Sequence, residues 1–210
     1  MKVLLVNGSP HKKGCTYTAL NIVKESLEKE DIEADIFWIE NKPLTGCIGC
    51  GYCAKAGKCH YDDRVNEFLE IAKEYDGFVF GVPVHFASAA ASMSAFMDRA
   101  FFVDHCANLF TFELKPAAVV TSARRAGTTA TLDQMLKYPI YAQMPVVSSR
   151  YWNMVHGQTP EQVLEDEEGV QIMRILGKNM AWMLKSIELG KEAGLKQPEK
   201  EKRISTNFIH

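Results

Sequence analysis

Four of the six cysteines crowd one short segment, Cys47-x2-Cys50-x2-Cys53-x5-Cys59, set among Gly46, Gly49, Gly51 and Gly57. Thiols on so glycine-rich a loop can wrap an iron–sulfur cubane. The run is close to bacterial ferredoxin ligation, with a longer last gap and His60 where that pattern has proline. Zinc sites more often use two separated C-x2-C pairs, each forming a knuckle, so the third overlapping cysteine favours a cluster over zinc. Cysteines that pack as small hydrophobes, or that sense oxidants, are the remaining reading, and spacing alone leaves all three open. Cys15 and Cys106 stand apart; Cys106 has no partner in sequence and reads as structural.

A second group of residues could hold an anion. Gly8-Ser9-Pro10-His11-Lys12-Lys13-Gly14-Cys15-Thr16 leaves an apolar run and enters a helical pattern. Backbone N–H groups and the positive end of a helix would converge there, with the Ser9 and Thr16 hydroxyls, His11 and two lysines beside them. That suits a phosphate monoester. The spacing is not a Walker A loop, because Cys15 stands where its lysine would be, and no G-x-G-x-x-G fingerprint is present. A plain strand-to-helix turn is the alternative. Pro83-Val84-His85-Phe86-Ala87-Ser88 ends another apolar run, where an aromatic ring and backbone amides could meet a planar ligand; Phe86 reads equally well as core. Thr121-Ser122-Ala123-Arg124-Arg125-Ala126-Gly127 adds hydroxyls and two guanidinium groups, which either face solvent or reach a phosphate.

The elements that must position these loops alternate regularly. Lys2–Val6, Ala34–Ile39, Gly77–Val82, Ala117–Thr121 and Pro145–Val147 read as strands, the third stopping at Pro83 and the fifth short. Between them lie helical patterns: Leu20, Val23 and Leu27 behind a Thr16 cap; Val65, Phe68, Leu69 and Ala72 behind Asp62-Asp63; Ala89–Phe102; Thr129–Tyr141; and Glu161–Ile187, interrupted near Gly169. Apolar strands alternating with amphipathic helices specify a flavodoxin-like three-layer α/β/α sandwich around a five-stranded parallel sheet of order 2-1-3-4-5. Ligands in such sheets bind beyond the carboxyl ends of the strands at the switch point, which selects the three loops above. One domain is expected over residues 1–190, with a cysteine-rich loop at 45–61 and a charged C-terminal tail at 191–210.

Composition removes several classes. A hydrophobic fraction of 47% is ample for a continuous core, and a net charge of −2 with scattered basic residues gives no footprint for nucleic acid. No stretch approaches the ~20 apolar residues of a membrane helix, and the N-terminus lacks an export signal. The chain reads as soluble and cytoplasmic, where clustered cysteines suggest metal or redox work more than disulfides. The nine methionines read as core filler. Tyr151–Gly157 reads either as a cover over a bound ligand or as an aromatic packing or dimer patch.

Val3-Leu4-Leu5-Val6-Asn7-Gly8-Ser9-Pro10, then Gly14-Cys15-Thr16, resembles the opening of the NAD(P)H-dependent FMN reductase family. Gly81-Val82-Pro83-Val84-His85 and the downstream Phe96-Met97-Asp98-Arg99 carry the same resemblance, which covers about residues 1 to 155. Within that family the cysteine segment is similar to the iron–sulfur flavoprotein branch. The resemblance implies FMN, with its phosphate held by Ser9, His11, Cys15 and Thr16. It places the isoalloxazine ring against Pro83, Val84, His85, Phe86 and Ala87, with Thr121, Ser122, Arg124 and Gly127 closing the far side. It implies a [4Fe-4S] cluster on Cys47, Cys50, Cys53 and Cys59, NAD(P)H as co-substrate, and a homodimer or homotetramer. Departures stand at Cys15, where Asn or Ser is usual; at His85, where Tyr is common; and at Ala87 and Ala123-Arg124-Arg125, where Gly is frequent.

The function so implied is an oxidoreductase passing electrons from a nicotinamide to a quinone, flavin, nitro compound or redox protein. The flavin carries the hydride, so no catalytic side chain is expected. The competing class is an electron carrier or cysteine-loop redox sensor with no turnover of its own; a carrier docking basic partners is expected to be more acidic than −2.

Overall fold

The computed structural model of the protein describes residues 1–202 together with 204, 206 and 208. Five strands form one parallel sheet: β1 (Lys2–Asn7), β2 (Glu33–Trp38), β3 (Gly77–His85), β5 (Ala117–Ala123) and β6 (Met154–His156), in the order β2-β1-β3-β5-β6. A two-residue strand β4 (Ser88–Ala89) folds back antiparallel on β3 and lies off that path. Counting only the parallel strands, the expected order 2-1-3-4-5 holds.

Strand residues alternate between two cores, as the two-residue period of an extended chain requires. Leu4, Val6, Phe78, Phe80, Ala117 and Val119 face one core, and Val3, Leu5, Val79, Ala118 and Val120 the other. The first core is aromatic and lies under α3 (Arg64–Ala72), α4 (Ala91–Cys106) and α5 (Thr128–Tyr141). Phe68, Phe78, Phe96 and Phe112 are fully buried there, with Phe101 stacked on Phe112 at 4.6 Å between ring centres. The second is aliphatic and is closed by α1 (Cys15–Glu28) and α7 (Glu167–Glu192). These helices approach closely at Gly177, where a Cβ would come within 2.6 Å of Ser26 Cβ.

Three local expectations are corrected, and the expected interruption near Gly169 is found. The fifth strand is Met154–His156 rather than Pro145–Val147, which makes only an isolated bridge, Ala117 to Val146. Pro145 and Val147 do bond to Ala117, but the chain then leaves the edge and returns where Thr121, Ser122 and Ala123 pair with residues 154–156. Thr16 is not the cap of α1: Gly14 is, and Thr16 lies inside the first turn. β3 does not stop at Pro83 but runs to His85; β1 pairs only as far as Gly81, so the missing proline N–H costs no ladder bond on that side. The last helix breaks at Asp166, between α6 (Pro160–Glu165) and α7, because the Asp166 carboxylate accepts from Gly169 N and caps the new helix. The cysteine loop also carries a short helix, α2 (Cys53–Ala56). Of the tail expected at 191–210, Lys191 and Glu192 complete α7, and residues 203, 205, 207, 209 and 210 lie outside the described residues. Among the described residues no helix is long and apolar enough to cross a membrane.

Candidate functional site

Parallel strands bring the loops after β1, β3 and β5 to one edge of the sheet. In the first, Asn7 braces the turn: its Oδ1 accepts from Ser9 N at 3.1 Å and its Nδ2 donates to the Lys12 carbonyl at 3.1 Å. Ser9 is buried, and its hydroxyl accepts from His11 N at 3.1 Å, which leaves the hydroxyl proton available to a ligand. His11, Lys12 and Lys13 are exposed around the mouth. Gly14 caps α1 in extended conformation and offers no side chain, so no side chain occupies the first-turn N–H groups. An uncapped start of a fourteen-residue helix beside a serine and three basic residues is a competent phosphate cradle.

Close packing fixes that cradle. Gly8 donates to the Gly81 carbonyl at 2.9 Å, and a Cβ on Gly8 would stand 2.6 Å from Met93 Sδ. At Gly81 a Cβ would meet Leu20 Cδ1 at 2.7 Å and Thr16 Cγ2 at 2.9 Å, so bare backbone lets α1 rest on β3. Thr16 Oγ1 lies 2.8 Å from Ser122 Oγ, both buried, which ties the first loop to the loop after β5. Cys15 turns elsewhere: its Sγ is 3.6 Å from the Gly157 carbonyl, and burial pushes the thiol pKa up, keeping it neutral.

The loop after β3 is a tight hairpin. His85 pairs with Ser88, and the two residues at its tip, Phe86 and Ala87, have φ of 51° and 59°. Left-handed backbone suits glycine, so two non-glycine residues there carry strain of about 1–2 kcal/mol each. Phe86 is fully exposed, which corrects its reading as core. Val84 is half-buried and His85 exposed. The loop after β5 closes on this tip at Gly127 (φ +96), where a Cβ would stand 2.4 Å from Ala87 Cα. Arg124 and Arg125 are exposed. The Thr121 hydroxyl is buried without a protein partner among the described residues, at the same carboxyl edge.

The cysteine segment leaves that edge too, from the end of β2. Trp38 Nε1 donates to the Ser9 carbonyl at 2.7 Å, joining the start of this segment to the first loop. Cys47, Cys50, Cys53 and Cys59 all line one shallow cleft, together with Arg99, Phe102 and Val103 of α4. Cys47 and Cys50 are exposed, Cys53 is buried at the start of α2, and Cys59 is half-buried. Gly49, Gly51 and Gly57 have φ of 65°, 68° and 68° with open space around them, so the segment turns left-handed three times without steric cost. Among the described residues no three His, Cys, Asp or Glu side chains converge on a single-ion site.

Three residues at or behind this cleft carried no signal as site residues. Asn66 grips Cys59 by its backbone, Cys59 N to Asn66 Oδ1 at 2.8 Å and Asn66 Nδ2 to Cys59 O at 3.1 Å. Arg99 points its guanidinium at the Cys59 sulfur, and Asp63, read as a helix cap, both caps α3 and pairs with Arg99. An arginine inside the apolar face formed by Phe96, Ala100 and Val103 was the available hint.

The family profile described as NADPH-dependent FMN reductase matches residues 1–159. An iron–sulfur flavoprotein of Methanocaldococcus jannaschii is 30% identical over 197 residues, 90% of this chain and 100% of that protein. One from Methanosarcina thermophila is 23% identical over 192 residues, covering 91% of this chain and 100% of its own. Among solved structures, an archaeal flavodoxin superposes at TM-score 0.60 and 13% identity, covering 88% of this chain and 99% of that one. The NAD(P)H:acceptor oxidoreductase FerB of Paracoccus denitrificans gives TM-score 0.60 at 11% identity, with 88% and 97% covered. At these identities the two structures speak for the fold alone.

Proposed function

Because the chain belongs to the NADPH-dependent FMN reductase family, we propose that it is an FMN-dependent oxidoreductase that takes electrons from NAD(P)H and passes them on through a [4Fe-4S] cluster. The observation that carries the cluster is the single cleft lined by Cys47, Cys50, Cys53 and Cys59, leaving the same sheet edge as the phosphate cradle. FMN, when bound, supplies hydride exchange with a nicotinamide, and a cluster supplies one-electron exchange.

The chain's own residues bind, orient and screen. The first-turn N–H groups of α1, the Ser9 and Thr16 hydroxyls and His11 hold the phosphate of FMN. Cys15 contributes through its backbone, its thiol being engaged by Gly157. Pro83, Val84, His85, Phe86 and Ala87 present backbone and one bare aromatic face to the flavin ring, and Thr121, Ser122, Arg124 and Gly127 close the opposite side. The left-handed turn at Phe86-Ala87 supports this reading, since strain concentrates where a ligand clamp is held in shape. No side chain is asked to act as acid, base or nucleophile. The acceptor is a quinone, free flavin, nitro compound or redox protein. A homodimer or homotetramer, with Tyr151 and Trp152 exposed at its contact face, is the assembly proposed; a stable monomer by light scattering at micromolar concentration refutes that part.

The deciding experiment is anaerobic purification with iron–sulfide reconstitution. About four irons and four sulfides per chain are expected, with broad absorption near 400 nm beneath the flavin bands. Alanine at any of the four cysteines removes or degrades the cluster and leaves FMN bound, whereas Cys15→Ala and Cys106→Ala leave iron unchanged. Protein that carries FMN but retains no iron returns the cysteines to thiol chemistry and leaves a plain flavin reductase.

A further inference from the structure

Arg99 is the largest fully buried side chain in the molecule's described part, with 1% of its side chain exposed. One carboxylate neutralises it: Asp63 accepts from Nη1 at 2.7 Å and from Nη2 at 2.9 Å, a two-pronged pair. Two further N–H groups, on Nε and Nη2, point at Cys59 Sγ, each at 3.2 Å. A neutral thiol is a weak acceptor, so such a fork does little for a cysteine that remains protonated. The same fork suits a sulfur that carries charge. With Asn66 holding the backbone N–H and carbonyl, Cys59 is fixed at three atoms, while Cys47 and Cys50 are exposed on the irregular segment.

Resting on the cluster reading above, we propose that Arg99 is a positioning residue for Cys59 that also sets the cluster's reduction potential. Donors aimed at a ligating sulfur, and net charge beside the cluster, are the protein's means of tuning that potential. A buried cation stabilises the more negative, reduced state, so Arg99 holds the potential up. Asp63 opposes it with the other sign. Asp63 is the more exposed partner, at 29%, so its effect is the smaller.

The test compares Arg99→Gln, Arg99→Lys and Asp63→Asn, each reconstituted anaerobically and titrated by spectroelectrochemistry, with iron and FMN content measured alongside. Arg99→Gln is expected to shift the reduction equilibrium at least tenfold toward the oxidised cluster, about 59 mV for a one-electron couple. Asp63→Asn is expected to shift it the opposite way, and Arg99→Lys, which retains the charge, to stay within about threefold of the parent protein. A merely structural role for the pair predicts equal losses of stability and iron with no split in sign. Shifts in the same direction for Arg99→Gln and Asp63→Asn, or no shift in either, overturn the proposal. If Arg99→Gln does not fold, Asp63→Asn is still required to shift toward the reduced cluster while Arg99→Lys stays within about threefold of the parent, and Arg99→Lys moving as far as Asp63→Asn in the same direction refutes it. Iron missing from the parent protein itself refutes the cluster reading, an outcome distinct from a potential that ignores Arg99.

Discussion

Replacing Thr16 by Val isolates one hydroxyl. The Thr16 methyl packs against Gly81, where a Cβ would stand only 2.9 Å from it, and Val keeps that contact. What Val loses is the oxygen 2.8 Å from Ser122 Oγ. Two costs follow and fall on different states. In the free protein the buried Ser122 hydroxyl loses its partner, which costs about 1 kcal/mol of stability. In the bound protein Thr16 can accept from Ser122 and donate its own proton to a phosphate dianion, a charge-assisted bond worth ~1.5–3 kcal/mol. The dissociation constant for FMN should therefore rise roughly 10- to 150-fold. Ser9→Ala should add a similar factor, since the Ser9 hydroxyl accepts from His11 N and has its proton to give. Titration of apoprotein by flavin fluorescence quenching measures both, and riboflavin, which lacks the phosphate, is the control whose binding should not change. Unchanged FMN affinity in the Ser9→Ala/Thr16→Val double variant would refute the phosphate assignment.

Gly127→Ala forces a Cβ to within 2.4 Å of the Ala87 backbone at φ +96, and should destabilise the protein by about 2 kcal/mol or more in urea unfolding. Phe86→Asn should relieve part of the left-handed strain, stabilising the apoprotein by about 1 kcal/mol while weakening retention of the flavin. Burial pushes the Asp104 carboxyl above its ordinary 3.8, so the folded state prefers it protonated and loses stability as pH rises through the window above that value. Asp104→Asn, which can still accept from Thr111 N, should therefore stabilise at pH 7, with the gain vanishing below about pH 4 in pH-dependent thermal melts.

The sheet and its switch-point loops were legible because they rest on local signals: apolar runs of strand length, a 3.6-residue stripe between them, and glycine or proline at each exit. Where the signal was local but ambiguous, tertiary pairing decided. Val146-Val147 has the stronger β-forming residues, yet Met154-Val155-His156 pairs with the carboxyl half of β5, because Thr121 N donates to the Asn153 carbonyl and fixes the register there. Thr16 has the better capping side chain, but Ser122 claims its hydroxyl and Gly14 takes the cap. Phe86 in left-handed backbone had no residue-type signal at all, since phenylalanine avoids that region. The reason for glycine at 81 and 127 likewise lies in Leu20 and Ala87, distant in sequence. Cysteine spacing announced the cleft, but the wall that faces it comes from α4, some forty residues on, and an arginine in a helix carries no mark of what its guanidinium will touch.

That helix supplies the physical link between the two halves of the proposed site. Its first turn presses Met93 against Gly8 at the base of the phosphate cradle, and its middle brings Arg99 to Cys59. Six residues separate these contacts along α4, an axial rise of about 9 Å. A sixteen-residue helix buried at Phe96, Met97 and Ala100 is a stiff spacer, so the separation between cradle and cleft is set by helix geometry rather than by the irregular cysteine segment. Under the proposed function, electron exchange between two bound groups would need a short and constant separation, and attaching both sites to one helix would supply it. The glycine-rich segment around Cys47 and Cys50 would then be free to differ in conformation with and without a cluster, while Cys59, held by Arg99 of α4, would stay in place.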